Sequence, residues 1–302
     1  MIVHRNSILS IVILGAWLGA AAAAHAACST SICVGSSSAC TISGSNTIDA
    51  GCTLDFGTKN VTVASGATLN GDNNGNNCYT IKANNLTLDG TLRAHSGCII
   101  VTITGNFLSE INGSGVGTVD VSNVDDSDAA PEFELTASGS VTLNGTKIDA
   151  TGASDNAGGD IAITGTTVTG ASTLRADGGT GGGSGGSITV TTTTATNGAY
   201  NIYLTGTISA DGTSPLNGGT ISLDAMGGLT VGTSSKGLQA RGFGGDFGGE
   251  IDLTARGGTA TVNGALNVNG NGTDSYGFGA YGGTINVSGV NISTGALWTA
   301  NG

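Results

Sequence analysis

The hexapeptide Gly158-Gly159-Asp160-Ile161-Ala162-Ile163 decides the fold, because it returns four times. The later copies are Gly185-Gly186-Ser187-Ile188-Thr189-Val190, Gly218-Gly219-Thr220-Ile221-Ser222-Leu223, Gly248-Gly249-Glu250-Ile251-Asp252-Leu253 and Gly282-Gly283-Thr284-Ile285-Asn286-Val287. Their intervals are 27, 33, 30 and 34 residues. A second anchor, apolar-x-Ala-x-Gly, closes each unit. It reads Ile148–Gly152, Leu174–Gly178, Ile208–Gly212, Leu238–Gly242 and Trp298–Gly302, with Val268 replacing Ala in Leu266–Gly270. Between the anchors lies a third alternating segment: Val141-Thr142-Leu143, Ile202-Tyr203-Leu204 and Leu229-Thr230-Val231.

Each unit therefore holds three short runs of period two, separated by glycine-rich corners. Period two places one face inward and one outward. The corners vary too much for a meander of two-residue hairpins. Three strands in a fixed unit of about 30 residues suit a solenoid in which each unit is one coil. A single coil cannot offset the backbone entropy of ordering itself. Stacking supplies the missing hydrogen-bond ladder, and the ends of the ladder need caps.

The triplets extend backward less regularly. Leu54–Phe56, Val61–Val63 and Leu69 form one coil. Ile81, Leu86–Leu88 and Leu92–Ala94 form the next, and Ile99–Ile103, Phe107–Ile111 and Val119–Val121 a third. The expectation is an all-β, right-handed parallel β-helix over 52–302, with about nine coils of ~30 residues. Residues 28–51 are left as a cysteine-rich N-terminal cap. Trp298 takes the inward slot of Ile148, Leu174, Ile208, Leu238 and Leu266, so its indole should face the core. The sequence stops at the corner that elsewhere opens a further coil, which reads as a fragment or as a rod capped by something else.

Composition agrees. Of 302 residues, 55 are Gly and 2 Pro, with no collagen period, and only one Gln and four Glu occur. Residues that cover helix surfaces are nearly missing. Charged residues are 10% and apolar residues 38%, the reverse of a disordered chain. The net charge is −12 and the few bases are scattered. No basic stripe exists to neutralise phosphates, so nucleic acid and anionic membrane surfaces are not expected partners.

Residues 1–27 run from His4-Arg5 through an apolar stretch to Ala24-His25-Ala26-Ala27, the pattern of a signal peptide. The expectation is a secreted or cell-surface chain with no membrane span after cleavage. A lipoprotein acylated at Cys28 is the weaker reading, because His25 stands where a Leu-like residue is needed. The six cysteines, Cys28, Cys33, Cys40, Cys52, Cys78 and Cys98, all lie in the first third. An even number in an exported chain points to at least two disulfides in the cap, with the pairing open. Zinc spacing is absent from the sequence.

Catalytic candidates are few. His95, the only histidine after the leader, reads as a solvated corner residue. Gly178–Gly186 lacks the Lys-Ser/Thr of a phosphate loop and reads as a corner. The acidic run holding Asp125, Asp126 and Asp128 carries hard oxygen ligands that suit Ca²⁺, although a solvated loop is the simpler expectation and no cofactor is required. Three outward columns follow from the period. They are Glu134, Ala162, Thr189, Ser222, Asp252, Asn286; then Thr142, Thr167, Tyr203, Thr230, Thr261, Asn291; then Asp149, Arg175, Ser209, Gln239, Asn267, Thr299. So aligned, no column gathers two carboxylates on adjacent coils, which leaves acid–base pairs without a seat. The Thr-rich second column admits an ice-binding face as a minor alternative.

The Gly-Gly-x-Ile-x-Leu and apolar-x-Ala-x-Gly units resemble those of right-handed parallel β-helix proteins of the bacterial cell surface, the passenger regions of large adhesins and filamentous haemagglutinin-like proteins. The resemblance spans the chain after the leader. It lacks their Asn-Pro-Asn-Gly secretion motif and a C-terminal outer-membrane barrel. It implies a non-enzymatic surface or adhesion module whose partners are surface glycans or other cell-surface proteins. Pectin-lyase-like polysaccharide lyases and hydrolases share the architecture and form the enzymatic alternative.

Overall fold

The computed structural model describes residue 28 and residues 32–71, 78–95, 97–109, 116–123, 130–195, 200–244, 247–272 and 279–302. The leader and Asp125, Asp126 and Asp128 lie outside these. The described residues form an all-β parallel solenoid with three short strands per coil. First and second strands build one 18-stranded sheet, and the third strands build a 10-stranded sheet. Strands inside the stack pair in parallel with their equivalents one coil earlier and one coil later. The register holds one residue per coil in line: Ile99↔Phe133↔Ile161↔Ile188↔Ile221↔Ile251↔Ile285. From Ile99 to Ile251 this column is fully buried, and Ile285, covered on one side only, is partly buried.

The third strands run in one file from Ser45–Ile48 to Trp298–Thr299. Trp298 stands opposite Leu266 and packs against the core. Its indole nitrogen is buried with no hydrogen-bond partner.

The Gly pairs are explained by the closure of each coil. Gly159, Gly186, Gly219, Gly249 and Gly283 donate their N–H groups to the carbonyls of Ala150, Ala176, Ala210, Ala240 and Val268 at 2.6–2.8 Å. The two sequence anchors are thus bonded to one another. A Cβ at Gly186, Gly219 or Gly249 would meet the carbonyl oxygen of the equivalent glycine one coil earlier. Backbone stacks directly on backbone here, and only glycine permits it.

The regular ladder begins before residue 52. Ala39–Ile42 pairs in parallel with Asn60–Val63, and Ser45–Ile48 with Thr68–Gly71, so most of a coil lies inside the 28–51 segment. Only Cys33–Val34 departs, by running antiparallel to Thr41–Ile42. Among the described strands this is the single antiparallel pairing, and it covers an edge that a further parallel strand would otherwise take.

The disulfides are Cys28–Cys52, Cys33–Cys40 and Cys78–Cys98. The last pair lies beyond the 28–51 segment, within the coils. Cys78 and Cys98 open consecutive first strands in register, with Cα atoms 4.3 Å apart, and tie one coil to the next. Cys33–Cys40 pins the antiparallel segment, and Cys28–Cys52 ties residue 28 to the corner that leads into Thr53–Asp55.

Candidate functional site

Burial, not charge, sets the core, so chemistry is confined to the outward columns and corners. The first column stands as read: Glu134, Ala162, Thr189, Ser222, Asp252 and Asn286 are successive partners. So does the third, from Asp149 to Thr299. The second is corrected at two places. Thr169, not Thr167, stands between Thr142 and Tyr203, and Ser293, not Asn291, follows Thr261. Variable corner length near these strands shifts the alignment by two residues, which preserves the face and moves the rung.

The absence of carboxylate pairs is also corrected. Glu132 and Asp160 are register partners on adjacent first strands, and Asp120 and Asp149 on adjacent third strands. Glu132 and Asp160 stand two residues before the Glu134–Ala162 position, on the same outward face, and Asp120 lies one coil before the first Gly-Gly units.

Asp120 and Asp149 are each neutralised locally. Asp120 accepts from Ser122 Oγ at 2.7 Å and lies 3.3 Å from His95 Nε2 and 3.4 Å from Arg93 Nε. His95 is therefore a side-chain partner of Asp120 at a corner, with its side chain 23% exposed, rather than a solvated group. Burial pushes the Asp120 carboxyl up, but the Ser122 hydrogen bond and the His95 and Arg93 charges outweigh it and hold it below the usual range. Asp149 has the same balance, with Lys147 Nζ at 2.8 Å and Thr151 Oγ1 at 2.6 Å opposing burial.

One corner on from these, acids stitch coils together. Asp177 Oδ1 accepts the backbone N–H of Asp211 at 2.9 Å, and Asp211 Oδ1 accepts that of Arg241 at 2.7 Å. The Arg241 guanidinium also donates to Asp211, with Nη2 2.7 Å from Oδ2. On the outer sheet face Arg256 reaches back to Asp224. These side chains are engaged in holding the stack. Among the described residues, no group of three His, Cys, Asp or Glu side chains gathers closely enough to hold a metal ion.

A different corner is open. Where each Gly-Gly pair leads into a first strand, a groove of about 370 Å³ crosses three coils. One wall is the residue before a pair, Asn217 and Phe247, and Tyr281, the residue before the next pair, stacks on Phe247 at the edge of the groove. The other wall is the residue after each pair: Thr220, Glu250 and Thr284. The floor is the glycine backbone. Phe247 and Tyr281 are 54% and 57% exposed and stack with ring centres 5.0 Å apart. The sequence gives them no periodic signal, because the position before each Gly pair varies from Ala157 and Ser184 to Asn217, Phe247 and Tyr281. A second exposed aromatic pair, Tyr200 and Tyr203, lies on the second-strand face with ring centres 6.1 Å apart.

No family model, curated protein or solved structure matches this chain.

Proposed function

We propose that the chain is an exported, non-enzymatic β-solenoid of the surface or adhesion type, whose rod displays straight columns of side chains to glycans or other surface molecules. The observation that carries this reading is the exact rung-to-rung register of exposed hydroxyl, amide and aromatic side chains along the rod. Thr189, Ser222, Asp252 and Asn286 hold one file, half-buried except for the exposed Asn286, and the exposed rings of Phe247 and Tyr281 stack from one coil to the next. Such a surface repeats a contact at ~4.8 Å intervals, which suits an extended ligand. The leader-like start and the three disulfides support export. The test is binding of the processed chain to a glycan array and to bacterial and host cell-surface preparations. Retention on at least one surface is expected, and no retention on any would refute the module.

The enzymatic alternative keeps one specific observation in its favour. Glu132 and Asp160 face each other across adjacent coils, with Glu134 two residues along. Paired carboxylates are the equipment of glycoside hydrolysis. Incubation with plant and bacterial polysaccharides, followed by assay of new reducing ends and unsaturated products, decides it. The module reading expects none. Product formation abolished by Glu132→Gln or Asp160→Asn would replace that reading with the enzymatic one.

A further inference from the structure

We infer that the groove between Phe247–Tyr281 and Glu250 is a binding site for a neutral saccharide chain lying along the rod axis. This deepens the proposed surface-module reading and rests on it.

Three features of the groove point to this ligand class. The first is the pair of exposed, mutually stacked rings. Large aromatic side chains left in the open beside a concavity are unusual on a soluble surface, and they mark contact sites. Stacking of Phe247 on Tyr281 makes a continuous apolar strip across two coils. The C–H face of a pyranose is apolar and can cover such a strip.

The second is the facing wall. Thr220, Glu250 and Thr284 stand in register, one per coil. They alternate hydroxyl, carboxylate and hydroxyl along the axis. A hydroxyl both donates and accepts, and a carboxylate accepts through two oxygens. Sugar hydroxyls, which do both, fit that order. Glu250 is partly engaged already, since Asn286 Nδ2 lies 3.5 Å from its Oε1 and 2.6 Å from Asp252 Oδ1. That contact orients the carboxylate and leaves its other oxygen for a ligand.

The third is the floor. Its backbone groups are already paired from coil to coil: Gly218 N–H donates to Phe247 O at 3.0 Å, and Gly248 N–H to Tyr281 O at 2.9 Å. A peptide could not add here as a strand, because the ladder is closed. The glycines also cannot acquire side chains, since a Cβ at Gly248 or Gly249 would strike backbone of a neighbouring coil. The floor of the groove is therefore held as bare glycine backbone by the same close stacking that builds the fold.

Charge narrows the class. The walls hold one carboxylate and no base, and the chain carries −12 overall. Phosphate-bearing chains and uronate polymers are repelled. With anions excluded, the alternation of hydroxyl, carboxylate and hydroxyl suits the hydroxyls of a neutral chain, with a length of about three rungs, or ~10 Å at the strand spacing. The volume lies at the lower end of the ~300–1,000 Å³ usual for ligand sites.

The experiment is native affinity electrophoresis of the processed, oxidised chain in gels containing soluble galactomannan, mixed-linkage β-glucan, arabinoxylan or, as a polyanion, polygalacturonate. The parent should be retarded by at least one neutral polymer and not by polygalacturonate. Phe247→Ala/Tyr281→Ala should raise the dissociation constant at least tenfold, and Glu250→Gln several-fold, with melting temperatures unchanged. Tyr200→Ala/Tyr203→Ala should bind as the parent does. Mobility unaffected by every neutral polymer overturns the inference. So does retardation by polygalacturonate alone, or binding that survives both groove variants. The same variants on the surface preparations separate the two readings. If they adhere as well as the parent, the groove fails and the module stands. If the parent binds a neutral polymer through the groove but adheres to no surface, the module fails and the groove stands.

Discussion

Gly186 donates its backbone N–H to the carbonyl of Ala176 at 2.7 Å, and the same bond closes four other coils. Gly178–Ser184 loops out between the two residues and returns. The bond separates the coil from its corner: whatever length the excursion has, the chain re-enters the ladder at one fixed point. The span so enclosed is 9 or 10 residues in four coils and 15, from Val268 to Gly283, in the last; the rest of the spread from 27 to 34 residues falls at the other corners, and the Gly-Gly-led first strands stay in register.

Gly219→Ala should therefore be among the most damaging one-carbon changes available. The added Cβ would meet the Gly186 carbonyl, and backbone cannot step aside as a side chain can. A loss of at least about 2 kcal/mol is expected from overpacking. Gly295→Ala is the control, because nothing lies within 4 Å of its Cβ position, and it should stay within about 0.5 kcal/mol of the parent. Urea melts of both variants measure the difference, and equal midpoints would contradict the stacked-carbonyl account.

Ile188→Asp should leave a charge in a dry core, since Ile188 is 0% exposed. A cost of about 4 kcal/mol or more is expected. Thr189→Asp, one residue along and on the outer face, should be tolerated. Far-ultraviolet circular dichroism on heating reads both. Should Thr189→Asp prove the worse of the two, the register would be off by one residue.

Acid should loosen the third-strand corners. The Asp120 and Asp149 carboxyls are held below their ordinary value in the folded chain. Their contribution is present above the unfolded carboxylate pKa of about 3.9, and it is lost as pH falls through that value toward the lower folded ones. The melting temperature should begin to drop as pH falls through about 3.9 and go on dropping below it. Asp120→Asn/Asp149→Asn should melt lower at pH 7 and fall less on acidification. An identical fall in both proteins would rule these two groups out as the acid-labile ones.

Non-reducing peptide mapping should recover Cys28 with Cys52, Cys33 with Cys40 and Cys78 with Cys98. Cys78→Ser/Cys98→Ser should cost about 2–4 kcal/mol while leaving the later coils intact. Recovery of six free thiols from exported protein would dismiss all three bridges.

The sequence carried most of the fold because the period is written twice, once in the apolar residues and once in the glycines. Ile161, Ile188, Ile221 and Ile251 align from either. It carried less at the start, where Ala39–Ile42 and Ser45–Ile48 have no Gly-Gly anchor and their rung was read as a separate cap. It misplaced Asn291 because Glu250–Val262 and Thr284–Thr294 each fuse two strands, with a register shift between Ala255 and Thr259 that no corner residue announces. The groove escaped for another reason. Phe247 and Tyr281 are one residue outside the repeating motif, and a position that changes from Ala157 to Ser184 to Asn217 to Phe247 carries no period of its own. His95 and Asp120 are 25 residues apart, and only coil stacking makes them neighbours.

Seen as a mechanical object, the rod is weak along its length and strong across it. The hydrogen bonds between strands point along the stacking axis, so a pull on the two ends loads them one rung at a time, and coils peel away singly. All three disulfides lie before residue 99, and Cys78–Cys98 lies parallel to the pull as a covalent tie between rungs. Tension should strip coils from the Trp298 end and stall at the tied rungs. Each released coil of about 30 residues should add roughly 100 Å of contour, at ~3.4 Å per residue. Single-molecule stretching would show that sawtooth, followed by a length that never extends until a reductant is added. A rod anchored by its bridged end would thus give way from the far end in measured steps and keep its attachment.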